Sequence, residues 1–280
     1  MNSNEKKRVK NIAALFALAV IAFTVVGAQA QELTAEEIMR NVDERYDGDT
    51  SIANSTMVLI DRRDRQRVRQ LRNYSKDYGE DTRSLSFFES PADISGTSYL
   101  NYDWDEEEQD DDSWLYLPAL QQVKRIASSD RSDSFMGSDF TYSDINGLEF
   151  AWYDYTFINE SEMVDGHDCW VIEVVPKPEF KEKAEDSTGN LKSHVWIRKD
   201  AFLMVKSQIW VKRGNRIKYF TASDIEQIDG IWTAKRLQMV TTRNDRREHA
   251  SILQLSDIVY NQPIDDDVFS TDTMQRGSLP

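Results

Sequence analysis

Cysteine, histidine and glycine are scarce in this sequence, and positive charge is in deficit. The single cysteine, Cys169, can form no internal disulfide, so no disulfide framework supports the fold. The three histidines, His167, His194 and His249, lie far apart and none belongs to an H-E-x-x-H motif. The eleven glycines are spread so widely that the nearest two, Gly137 and Gly147, are ten residues apart. That spacing excludes the G-x-G-x-x-G dinucleotide fingerprint, the P-loop and the G-x-S-x-G nucleophile elbow. Lys and Arg number 34 against 49 Asp and Glu, for a formal charge of −15. Such a balance argues against nucleic acid, whose phosphates demand a basic surface. It argues equally against an anionic membrane as an electrostatic partner.

What is present describes a folded, exported chain. Hydrophobic residues make up 40% of the 280 positions and charged residues 30%, too apolar for wholesale disorder. Lys6, Lys7, Arg8 and Lys10 precede an apolar run of 15 residues, 12–26, followed by Gly27, Ala28, Gln29 and Ala30. Fifteen residues is short of the roughly 20 that span a bilayer, and the small residues after it suit a signal peptidase. The pattern predicts a signal peptide at 1–30, cleaved to release a single exported, soluble domain at 31–280. The alternative is an uncleaved N-terminal anchor. No cysteine follows the run to serve as a lipoprotein attachment site. Removal of Glu5 and the four basic residues takes the charge from −15 to −18.

One helix opens the exported part. Thr34 and Glu37 form a capping box, and Ile38, Met39, Val42 and Tyr46 make a stripe at helical spacing that Gly48 closes. Runs rich in Val, Ile, Thr, Tyr, Phe and Trp then predict strands at 52–60, 67–74, 83–88, 98–103, 113–117 and 122–126. The series continues at 152–159, 169–175, 193–198, 203–211, 216–222, 231–242 and 251–259. Asp165-Gly166, Gly214-Asn215 and Asp229-Gly230 between them favour tight antiparallel hairpins. Leu203, Val205, Ser207, Ile209 and Val211 alternate with polar neighbours, the mark of a sheet with one covered and one wet face. Three stretches interrupt the meander. Residues 103–112 hold eight acidic side chains and read as a solvated tip. Residues 127–138 are Ser/Asp-rich yet carry Phe135 and Met136, and 176–190 are polar with room for a turn or two of helix. The fold class is mainly β: one large curved antiparallel sheet, an unclosed barrel with few helices to cover it.

Catalytic patterns are weak. His167 and Cys169 share a strand face but lack an orienting third residue, and a buried strand cysteine is the commoner case. The acidic run lacks the mid-loop glycine of a calcium-binding EF-hand, and no carboxylate pair stands out for glycoside hydrolysis. Neither a cofactor nor a metal is expected. The aromatic residues are more informative as a set. A curved sheet with sparse covering leaves an apolar concavity, and concave apolar surfaces are ligand sites.

Residues 90–100, Ser-Pro-Ala-Asp-Ile-Ser-Gly-Thr-Ser-Tyr-Leu, are similar to the P-A-D-x-x-G-T segment of the LolA-like outer-membrane lipoprotein-sorting proteins. The stretch Asp112-Ser113-Trp114-Leu115-Tyr116-Leu117-Pro118-Ala119-Leu120, the run 123–126, and Phe135-Met136-Gly137-Ser138-Asp139-Phe140-Thr141-Tyr142 continue the likeness. So does the Asp229-Gly230-Ile231-Trp232 turn. The resemblance implies an unclosed barrel whose concave side is covered by a helix and loops over a hydrophobic cavity. It implies non-enzymatic carriage of lipoprotein or lipid acyl chains, with an inner-membrane exporter and an outer-membrane receptor as partners. The longer members resemble partners of RND-type lipid exporters.

On this reading the cavity is lined by Met57, Leu59, Leu100, Tyr102, Trp114, Tyr116, Phe135, Met136, Phe140 and Trp152. Residues 127–140 form a lid, tied by Arg125 and Arg131 to carboxylates such as Asp133 and Asp139; the alternative is a surface loop whose two apolar residues plug the core. A lipid-sensing or adaptor protein is the main rival function, and a secreted hydrolase the weaker one. At −18 the chain is expected to touch anionic bilayers only transiently and to dock through a protein receptor.

Overall fold

Thirteen β-prone stretches become thirteen strands, most within about three residues of the ends that turn chemistry predicts. In the computed structural model, which describes residues 32–106, 109–147 and 149–277, they divide into two meanders. The expected signal peptide lies outside the described residues. The first meander is β1 (Thr50–Asp61), β2 (Gln66–Tyr78), β3 (Asp81–Ser90), β4 (Ser98–Asp103), β5 (Asp112–Leu117) and β6 (Gln122–Ile126). The second is β7 (Tyr153–Val164), β8 (His167–Pro176), β9 (Asn190–Arg198), β10 (Leu203–Val211), β11 (Arg216–Ile228), β12 (Ile231–Arg243) and β13 (Arg246–Tyr260).

Antiparallel pairing of β1 with β13 joins the meanders into one 13-stranded sheet of order β6-β5-β4-β3-β2-β1-β13-β12-β11-β10-β9-β8-β7. The sheet is not closed into a barrel. Strands β6 and β7 follow one another in sequence yet form opposite edges, so residues 127–152 must travel from one edge to the other. They do so across one face, here termed inner.

Period-two alternation assigns that face strand by strand. Leu115 pairs with Tyr99, Leu71 with Phe88, Met57 with Leu253 and Met239 with Phe220, and all of these point inward. At the far end Ile172, Val174, Val195 and Ile197 continue the inner face beneath helix α1 (Ala35–Asp43), whose Ile38 is fully buried there. The Thr34–Glu37 capping box forms as expected. The helix stops at Asp43, before Gly48, because Arg45 donates to the Trp232 carbonyl at 3.2 Å and draws the chain toward the β11–β12 turn. Tyr46 is therefore exposed instead of extending the apolar stripe. The polar stretch before β9 contains helix α3 (Lys181–Thr188), and the crossing segment contains α2 (Tyr142–Asn146).

Two details depart from simple alternation. A bulge at Met204/Lys206 turns Val205 outward to Cys169, Val171 and Trp196, while Ile209 stays inward with Phe140 and Met239. The outer face is also partly covered. The C-terminal segment, ending in α4 (Thr271–Arg276), lays Ile264, Phe269 and Met274 on Leu85, Phe87 and Leu100. The Pro91–Thr97 turn seats that helix. Gly96 and Gly277 touch backbone to backbone, so closely that a Cβ on Gly277 would lie 3.2 Å from Gly96 Cα, and Ser98 Oγ donates to the Met274 carbonyl at 2.7 Å.

Candidate functional site

The crossing segment is held down by one aromatic anchor and a ring of polar tethers. The Phe135 ring sits 5.3 Å from Tyr99, 5.5 Å from Tyr142 and 6.0 Å from Phe88, centroid to centroid, in a cluster that includes Met57, Leu59 and Leu71. Met136 packs on the same cluster, and Phe140 lies beside Ile209 and Met239. Met136 (φ 52°) and Gly137 (φ 76°) are successive left-handed residues, which turn the chain back so that Phe135 N–H donates to the Phe140 carbonyl at 2.7 Å.

The tethers reach strands on both sides of the sheet centre. Arg69 of β2 donates to the Met136 carbonyl. Asp139 accepts from Ser251 Oγ at 2.7 Å and from Thr241 Oγ1, and its second partner on Oδ2 is His249 Nδ1, also at 2.7 Å. Its own N–H donates to Ser251 Oγ at 2.9 Å. Lys218 of β11 meets Asp144 at 2.8 Å, both side chains nearly buried. Asn146 accepts from the Tyr99 hydroxyl at 2.8 Å and donates to Asn101 Oδ1 at 2.9 Å.

The last tether is a buried ion pair. Arg131 lies 3.1 Å from Asp111, with side-chain exposures of 5% and 4%. Around it Asp111, Asn146, Glu149, Trp152 and Thr188 line a small polar pocket, into which Asp111 Oδ1 and Trp152 Nε1 bring buried atoms that have no protein partner. Burial pushes the Glu149 carboxyl up to about 7, with the Asp111 charge adding to the effect. Burial and the adjoining Asp111 likewise push Asp103 up to about 8. The acidic tip is thus not uniformly solvated: Asp111 is buried against Arg131, and Asp103 is half-buried beside it.

The ten residues predicted to line one cavity are not brought together. Met57, Leu59, Phe135 and Met136 share a cluster on the inner face, and Phe140 lies in its neighbour. Trp152 packs under α1 and α3. Leu100, Tyr102, Trp114 and Tyr116 face outward onto the C-terminal segment, because Leu100 and Trp114 are paired in antiphase to Tyr99 and Leu115. The predicted lid charges also find other partners. Arg125 pairs with Asp112, Arg131 with Asp111 and Asp139 with His249. Asp133 instead contributes its backbone carbonyl, which accepts from Tyr142 N–H, and among the described residues its carboxylate makes no ion pair. Sequence reasoning missed Lys218, Thr241, His249 and Ser251. Their signal was polarity at inward positions of otherwise apolar strand faces.

The thiol–imidazole pairing weighed from the sequence is not formed, and no serine triad takes its place among the described residues. Cys169 is buried, its thiol pushed up to about 11 by burial, and it contacts the His167 carbonyl, not the imidazole. The Ser251, His249 and Asp139 set places the carboxylate between the other two, whereas a triad needs the imidazole on the hydroxyl. Among the described residues, no group of three His, Cys, Asp or Glu could hold a metal ion, and no helix is long and apolar enough to cross a membrane.

An unclosed antiparallel sheet crossed by a strapped segment is the LolA-like architecture, and comparison with known proteins bears this out. A family model whose description reads "uncharacterized protein" matches residues 80–276. A DUF1329 family protein from Desulfovibrio piger is 31% identical over 86% of this chain and 97% of its own, with a TM-score of 0.76. A Vibrio parahaemolyticus domain described as an outer membrane lipoprotein-sorting protein is 28% identical over 86% and 98%, TM-score 0.75. A LolA superfamily protein from Nitrosomonas europaea is 20% identical over 86% and 99%, TM-score 0.64, and shares the fold. No curated protein sequence matches. The chain belongs to the DUF1329 family of LolA-like proteins.

Proposed function

We propose that the protein carries acyl chains of lipoproteins or other lipids between the inner and outer membranes, without catalysis. In this reading residues 1–30 are the export signal, 31–280 are a single periplasmic carrier domain, and an exporter and a receptor supply and accept the cargo. The observation that carries it is the seating of Phe135 and Met136: two apolar side chains from the edge-to-edge connection, and not from the sheet itself, occupy the apolar centre of the inner face. An acyl chain takes their place. Sixteen methylenes gain on the order of 12 kcal/mol on leaving water, whereas two side chains of this size forfeit roughly 3–6 kcal/mol. The exchange is therefore favourable, with the remainder available to break tethers. The lipid-facing residues are then Met57, Leu59, Phe135, Met136 and Phe140. Support also comes from the sorting role described for the Vibrio relative.

Mass spectrometry of an organic extract of the purified protein tests the reading, followed by transfer between donor and acceptor vesicles. Stoichiometric lipid and measurable transfer are expected. Lipid binding without transfer points instead to a sensor or adaptor. An empty protein with hydrolytic activity dependent on one carboxylate overturns carriage. A Phe135→Ala/Met136→Ala variant is expected to alter both extraction and transfer; unchanged values would remove the lid from the mechanism.

A further inference from the structure

The charge of −15 is a sum over the chain, and the turns at the two ends of the sheet differ in sign. Three hairpin tips stand side by side at one end of the sheet, those of β1–β2, β12–β13 and β10–β11, a front six strands or roughly 25 Å wide. The first carries exposed Arg62, Arg63, Arg65 and Arg67 against Asp61 and Asp64. The second carries exposed Arg243, Arg246 and Arg247 against Asp245 and Glu248. The third carries exposed Lys212, Arg213 and Arg216 and no acid. Ten cations thus face four carboxylates. Lys212 also reaches Glu185 and Asp186 of α3, and Arg65, Arg216, Arg243 and Arg247 pair within the tips. Among the described residues Arg62, Arg63, Arg67, Arg213 and Arg246 make no ion pair. The opposite end is acidic, with Glu80 and Asp81 at the β2–β3 turn, Asp229 at the β11–β12 turn and Asp105, Glu106 and Asp110 between β4 and β5.

We propose that this basic rim docks the protein on the anionic headgroups of a lipid bilayer. Cations on three separate tips offer charge over a broad front with no shaped pocket, which suits a headgroup layer better than one folded partner. Exposed apolar residues accompany them: Val68 at the start of β2 (47% exposed) and Leu120 at the β5–β6 turn of the same end (61%). The rim also adjoins the strap. Arg69, two residues beyond Arg67, holds the Met136 carbonyl, and His249, three beyond Arg246, holds Asp139. The net charge predicts repulsion from such a surface; its placement reverses that locally.

The inference is independent of cargo. Co-flotation of the purified protein with phosphatidylcholine vesicles, with and without phosphatidylglycerol, tests it. Binding is expected only with phosphatidylglycerol, and it should be lost at about 0.5 M salt, where charges are screened within a few ångströms. An Arg62→Glu/Arg63→Glu/Arg213→Glu/Arg246→Glu variant should bind more than tenfold more weakly while keeping its circular dichroism and melting temperature. A Glu80→Lys/Asp229→Lys variant at the other end should not bind more weakly. Equal binding by the rim variant, or no binding by the natural protein, overturns the proposal. Tight binding to an acidic polypeptide but not to vesicles also overturns it, in favour of a protein partner. Loss of vesicle binding with acyl transfer intact removes the docking surface alone, and the reverse removes carriage alone.

Discussion

Glu149, near the end of the strap, is a source of pH-dependent stability. Its carboxyl is pushed from an ordinary 4.5 to about 7 by burial, so the folded protein holds a proton that the unfolded chain has released. Stability therefore falls as pH rises from about 4.5 to about 7, and the loss is complete above that. Asp103 acts in the same direction up to about 8. Carboxylates held low by partners, such as Asp61 at about 2, have the opposite sign but act below pH 4 and leave this window untouched. A urea midpoint that falls between pH 5 and 8 is expected, with a shallower fall in Glu149→Gln. An unchanged slope in that variant would assign the effect elsewhere.

At the scale of elements, the strap is a 26-residue connection whose described residues bear two short 3₁₀ turns besides α2 before the turn that leads into β7. Its order comes from the sheet beneath it. Asp139→Asn keeps the side-chain shape but removes the charge that Thr241, His249 and Ser251 surround. Loss of charge-assisted bonds on this scale weakens a tether by about 1–3 kcal/mol. Hydrogen exchange of amides 135–146 should accelerate roughly tenfold or more, with β8 and β9 unchanged. Uniform acceleration would instead mean that strap and sheet open as one unit. The strands themselves were legible from β-propensity and turn residues, and the strap from its Ser/Asp composition around Phe135 and Met136. Its tethers were not, because they come from residues that are up to 112 positions away, as with Asp139 and Ser251.

For the molecule as a whole, the two faces of the β1–β6 half have separate duties. The inner face carries the strap, whereas the outer face supports the C-terminal segment through Tyr102, whose hydroxyl donates to the Phe269 carbonyl at 2.6 Å, and through Trp114. Met57→Ala should therefore weaken binding of a fluorescent acyl probe, while Trp114→Ala should lower the melting temperature and leave probe affinity unchanged. Truncating the buried Met57 costs about 2–5 kcal/mol, and the half-buried Trp114 also loses packing, so both variants need a stability measurement beside the binding one. Weakened probe binding in Trp114→Ala at unchanged stability would return the outer aromatics to the site.

Composition, strand periodicity, turn residues and the Pro91–Thr97 motif were enough to specify an unclosed antiparallel sheet of this family and to mark Phe135 and Met136 as the strap's anchor. These properties are local, set by side-chain branching, alternation and backbone preference over a few residues. Which aromatics share a face was decided only in three dimensions, because one step in strand phase separates Leu115 from Trp114 and puts them on opposite sides. The partners of Arg131 and Asp139 were settled there as well, since the pairing order of distant strands sets them. So was the placing of charge: a sum over the chain is negative, and only the folded sheet sets three basic hairpins side by side.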